Sequence, residues 1–128
     1  MTNKNKKELY MQKSEVFFAK IKENLTKIHN YKEKEIVFYF TYRSFIRIGI
    51  VLMKALDYKI KCEDDFDKVV INKLAKILKK EYIQTIGQKM RQRINETCYG
   101  IDNISKKETI QYLKFVNKVF IEAKKYFY

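Results

Sequence analysis

The scarcity of turn-forming residues constrains this chain more than any other property. Its 128 residues include no proline and only three glycines, Gly49, Gly87 and Gly100. Tight β-hairpins, glycine-rich phosphate loops and dinucleotide-binding turns all draw on those residues, so such architectures have almost no raw material. The length fits one domain, and residues 1–128 are read as a single all-α unit that buries roughly two thirds of its unfolded surface.

The apolar spacing divides the chain into five helices. From Leu9 to Ile28, after a frayed start, Leu9, Val16, Phe17, Ile21, Leu25 and Ile28 recur at steps of three and four and mark one buried face, with lysines opposite. Between Ile36 and Leu56 the only polar side chains are Thr41, Arg43, Ser44, Arg47 and Lys54. A helix apolar on almost every side belongs at the centre of a bundle or in a bundle that dimerises. Asp64 or Asp65 is placed to cap a shorter helix through Phe66, Val69, Val70, Leu74, Ile77 and Leu78. A fourth helix starts near Lys80 and turns Ile83, Gly87, Met90 and Ile94 inward. Ser105 with Glu108 forms a capping box that opens the last, whose inner side carries Ile110, Leu113, Val116, Phe120 and Ala123. The expected architecture is a four- to five-helix antiparallel bundle in which the first, second, fourth and fifth helices form the main body and the third is a brace.

Charge narrows the partners. Lys and Arg number 28 against 15 Asp and Glu, for a formal net charge of +13, which favours anionic partners, whether nucleic acid or an acidic protein. Only four of the cations are arginines. Arg43 and Arg47 fall with Lys54 within about 40° on the second helix, a stripe that must reach water, a carboxylate or a bound anion because an isolated buried charge is costly. A solvent-facing row of snorkelling side chains satisfies the same demand. Cys62 and Cys98 show no paired-cysteine spacing and His29 is the only histidine, so no metal site and no cofactor are expected, and the two thiols read as reduced. The acidic group Glu63, Asp64, Asp65 and Asp67 lacks the glycine of a calcium loop and reads as helix capping. No apolar run is expected to approach the roughly 20 residues that span a bilayer, and the start MTNKNKKEL is not leader-like, so the expected location is cytoplasmic, without membrane contact.

The other two arginines lie in the segment MRQRINETCYGI, residues 90–101. At helical spacing Arg91, Asn95 and Cys98 follow one edge of the inner face, Arg93 takes the opposite flank and Glu96 turns away. A guanidinium beside an amide can hold and orient a phosphate. Arg91 and Arg93 could equally serve as salt-bridging residues, Cys98 as a small buried group and Tyr99 as a helix-end aromatic. No general base accompanies them: Cys98 and Tyr99 would need strongly lowered pKa values, and His29 has no sequence relation to the arginines.

The order of elements, with YFTYRSFIRIGIVLMKALDYKI, the acidic turn and short helix DDFDKVVINKLAKIL, then MRQRINETCYGI and the capped SKKETIQYLKFVNKVFIEAKKYF, resembles the HEPN superfamily. The resemblance implies a compact helical bundle, a homodimer whose two subunits face one cleft, and a role in toxin–antitoxin or defence systems, often as an RNA-cleaving enzyme. The family motif is an arginine followed, after four to six residues, by a histidine. Here the arginine falls on Arg91 or Arg93 and Cys98 stands where the histidine would. Some relatives carry, two positions beyond the histidine, a tyrosine that a partner nucleotidyltransferase modifies; this chain has Gly100 there and Tyr99 beside it.

Two functions follow as expectations, beside the plainer reading of a basic helical scaffold whose arginines merely fasten a dimer. One is a toxin–antitoxin or defence component whose cleft, lined by Arg43, Arg47, Arg91, Arg93 and Asn95, with Cys98 and Tyr99 at its edge, binds RNA or a nucleotide phosphate. If that component is catalytic, it is a metal-independent endoribonuclease in which Arg91 or Arg93 stabilises the pentacovalent phosphate. The other is a non-catalytic module that accompanies a nucleotidyltransferase or a nucleoprotein assembly.

Overall fold

A computed structural model describes the backbone of residues 3–28, 30–59, 65–98 and 103–127, with side chains from residue 12 onward except that of Cys98. Five helices follow one another: α1 (Asn3–Ile28), α2 (Lys34–Ala55), α3 (Phe66–Leu78), α4 (Glu81–Cys98) and α5 (Lys106–Lys124). They form an antiparallel bundle, and no strand occurs among the described residues. The all-α expectation holds.

The helix expected at the centre is there. α2 touches all four others and buries eleven of its residues, among them Phe38, Phe45, Ile48 and Leu52. By length and mean hydropathy α2 does reach the size of a membrane span, contrary to the sequence expectation. Only Arg43 and Arg47 carry charge between Ile36 and Met53, which lifts the average. Most of that stretch is covered by the other helices.

Three faces differ from the periodicity reading. On α1 the inward residues are Ser14, Phe18, Ile21, Leu25 and Ile28, while Val16 and Phe17 are 70% and 59% exposed. Phe18 stacks on Phe120, centroids 4.3 Å apart, and lies against Phe127. On α5 the buried side is Thr109, Tyr112, Phe115, Val116, Val119, Phe120 and Ala123; Ile110 faces out. α3 is more than a brace. It pairs with α4 and sends Val70, Ile71 and Leu74, all fully buried, into the core, while Val69, one of the apolar positions of the sequence reading, is 44% exposed.

The two described glycines serve helix crossings rather than turns. A Cβ on Gly87 would sit 2.8 Å from both Ile71 Cγ2 and Phe45 Cζ, and one on Gly49 would sit 2.5 Å from Val70 Cγ1. Contacts that short do not occur, so α4 and α2 approach α3 as closely as they do because these positions lack a side chain. The turns use other residues at positive φ: Asp57 at 61°, Asp65 at 62° and Lys79 at 56°. Asp65 therefore stands at the N-cap position of α3, as expected, but in the left-handed region and without the expected side-chain bond; Asp64 lies outside the described residues. Ser105 does cap α5, its Oγ accepting the Glu108 amide at 3.0 Å.

Candidate functional site

The arginine segment of α4 divides into two environments. Arg93 is enclosed, its side chain 18% exposed. Its Nε and Nη2 donate to both carboxylate oxygens of Glu108 on α5, at 2.6 and 2.9 Å, its Nη1 donates to Glu96 at 2.7 Å and its Nη2 also reaches the Asn103 carbonyl at 3.3 Å. Glu96, expected to turn away, is thus part of this clamp. A guanidinium with its fork filled by carboxylates ties α4 to α5, and a phosphate would have to displace them. Tyr112 lies close by. Burial, with the charges of Glu108 and Glu96, pushes its phenol above the usual tyrosine range, and Arg93 opposes that shift.

Arg91 belongs to a second polar group at the junction of α2, α3 and α4. Its Nε donates to Gln88 Oε1 at 2.9 Å, and the Gln88 amide donates onward to Asn72 Oδ1 at 3.0 Å and the Lys68 carbonyl at 3.2 Å. Across the junction the buried Tyr42 hydroxyl donates to Asp67 Oδ2 at 2.6 Å. Burial raises the Tyr42 pKa most, the bond to Asp67 and its charge raise it further, and Arg91 and Arg43 pull it down. The two guanidiniums from different helices therefore act on one hydroxyl. Raised well above its ordinary value, that hydroxyl stays protonated at neutral pH and has no capacity to remove a proton from a substrate. Asp67, expected among capping carboxylates, is engaged by Tyr42.

An exposed cationic groove runs along α1 and α2. Two adjoining cavities share Asn24 and Arg47. One, of about 320 Å³, is lined by Lys27, Tyr31, Tyr39, Phe40, Arg43 and Ser44 among others; the second, of about 580 Å³, by Lys13, Ser14, Phe17, Lys20, Ile50, Val51 and Lys54 among others. Together they form one groove with six cations, Lys13, Lys20, Lys27, Arg43, Arg47 and Lys54, and no lining carboxylate. Lys27 pairs with Glu23 at 2.9 Å on the outer surface. Arg43, Arg47 and Lys54 are exposed, and no carboxylate among the described residues pairs with them. Of the alternatives for this stripe, it faces solvent.

The structure thus brings Arg43 and Arg47 into one groove, places Arg91 in the polar group with Gln88 at the α2–α3–α4 junction, and places Arg93 in a separate clamp. Asn95 is exposed and lines neither cavity. Cys98 ends α4, and its side chain, with Tyr99, His29, Cys62, Glu63 and Asp64, lies outside the described residues. No group of three metal-ligating side chains occurs among the described residues. Sequence reasoning missed the α1 half of the groove. The signal was present: Lys13, Lys20 and Lys27 are seven apart, and seven residues fall about 20° short of two turns, so the three share a face. Comparison with models of known protein families, with curated proteins and with solved structures finds no match.

Proposed function

We propose that this chain binds RNA, as a component of a toxin–antitoxin or defence system, by holding the phosphate backbone in the groove between α1 and α2. The observation that carries the reading is the six-cation lining without a carboxylate. An anion entering there displaces no ion pair except the exposed one at Lys27, and each phosphate neutralised releases counterions. Arg43 and Arg47 add directed donors that lysine lacks. The defence role rests on the family resemblance, as does a homodimer. Binding without cleavage is favoured over a ribonuclease because Arg93 is filled by Glu108 and Glu96.

The test is anisotropy of a labelled mixed RNA pool in EDTA, with the RNA run on a denaturing gel afterwards. Wild-type protein should bind at low salt and leave the RNA intact, and an Arg43→Ala/Arg47→Ala double variant should lose at least about tenfold in affinity, near the value of two charge-assisted contacts. A folded wild-type protein that binds no RNA at about 50 mM salt would overturn the proposal. RNA cleavage lost in Arg91→Ala would replace it with the ribonuclease.

A further inference from the structure

One end of the groove carries a cluster of three aromatic rings, where the rest has Phe17 alone. Tyr31, in the turn after α1, and Phe40, on α2, stack on each other with centroids 5.3 Å apart and planes 18° apart. Tyr39 meets Phe40 edge-on at 5.5 Å. All three line the smaller cavity beside Lys27, Arg43 and Arg47. Tyr31 and Phe40 remain 48% and 40% exposed, so the pair is ordered against itself while offering apolar ring surface to solvent. The volume of about 320 Å³ lies at the small end of the range for ligand pockets, about 300–1,000 Å³.

We infer that the Tyr31–Phe40 pair is a stacking platform for an unpaired base, and that the ligand of the groove is therefore single-stranded RNA. The inference rests on the reading of the groove as a phosphate site and adds what lies between the phosphates. Aromatic faces beside a cationic track are how sequence-tolerant single-strand binders work, each base resting on a ring while the backbone follows the charge. A duplex keeps its base faces inside the helix and has nothing to lay on Tyr31 or Phe40. A second copy of a chain with a formal charge of +13 would bring like charge against Lys27, Arg43 and Arg47, whereas a nucleotide brings an apolar face and an anion together. Arg43 and Arg47, placed by the same cavity, are positioned to hold the phosphates flanking that base.

The experiment compares three labelled ligands of equal phosphate number: single-stranded oligouridylate, its abasic analogue and an RNA duplex. Wild-type protein should bind oligouridylate about tenfold more tightly than the abasic strand, the usual worth of one stacked base, and more tightly than the duplex. Tyr31→Ala and Phe40→Ala should each remove most of that difference, weakening oligouridylate binding by more than abasic binding. Tyr31→Phe should retain it, since the ring rather than the hydroxyl is used. Equal affinity for the abasic and base-bearing strands, with Arg43→Ala/Arg47→Ala still abolishing both, would overturn the platform and leave the phosphate groove standing. No binding of any of the three would overturn both readings.

Discussion

Glu108 occupies the position from which a capping-box carboxylate turns back to its helix start, yet both of its oxygens are taken by Arg93. The Ser105 half of the box is made; the other half has been exchanged for a tie between α4 and α5. Both side chains are largely buried, so removing the arginine strands a carboxylate. Arg93→Ala should cost about 2–3 kcal/mol in urea unfolding, below the figure for a fully buried pair because some solvent reaches it, while RNA affinity at full folding stays within about twofold. Tyr42 is the second residue whose role is set by a distant partner. Tyr42→Phe should lose about 1.5–3 kcal/mol at neutral pH, the worth of a hydrogen bond to a charged acceptor. The pH dependence has a definite sign. Tyr42, Tyr82 and Tyr112 all have raised pKa values in the fold, so the preference for the neutral phenol is fully present below the unfolded value of about 10 and is lost as pH climbs past it. Stability should therefore fall above about pH 10, less steeply in Tyr42→Phe. Neither partnership was legible in the sequence. Asp67 lies 25 residues from Tyr42 and Glu108 lies 15 from Arg93, and no local spacing relates them.

Helices were legible and their inner faces only partly so. The face of α4 was read correctly because Ile83, Gly87, Met90 and Ile94 are separated by polar residues, with Ile86 the one apolar exception, and so leave one phase. On α1 the run Val16, Phe17, Phe18 is apolar at three successive positions, and a face drawn through any of them satisfies the period; packing against Phe120 and Phe127 chooses Phe18. α5 has the same ambiguity, with Tyr112 and Phe115 competing against Ile110 and Leu113. The role of Gly87 was invisible as well, since a glycine inside a helix reads as a weakness until the neighbouring helix is seen. Gly87→Ala should lower stability by about 1–3 kcal/mol despite the better helix propensity of alanine, because its methyl group meets Ile71 and the Phe45 ring. Thermal unfolding of the variant beside wild type would show it, and an unchanged or higher Tm would mean that the crossing tolerates a side chain.

For the molecule as a whole, what matters is where the charge lies. The formal +13 is spread over every helix, but the groove gathers cations from two helices without an acid between them. The arginine half of that groove was readable from α2 alone; the facing lysines became a site only once α1 was laid beside it. If RNA occupies this track, the logarithm of affinity should fall with the logarithm of salt at a slope no steeper than about −4, or roughly −0.7 for each of six neutralised phosphates. Lys20→Ala and Lys54→Ala should each make it shallower by about 0.7. Lys125→Ala, which removes a partner of Glu122 outside the groove, should leave it unchanged.

The placement of α1 carries one more consequence. It rests on α2 with a lesser edge against α5, whereas α2 is packed against all four other helices. The amides of α1 should exchange with deuterium through a local opening, well before those of α2, whose release requires the whole bundle to come apart. A strand of RNA gripping lysines on one side and arginines on the other would have to be released for that opening to occur. Occupancy of the groove would then be recorded as slowed exchange along α1, at amides the ligand never touches.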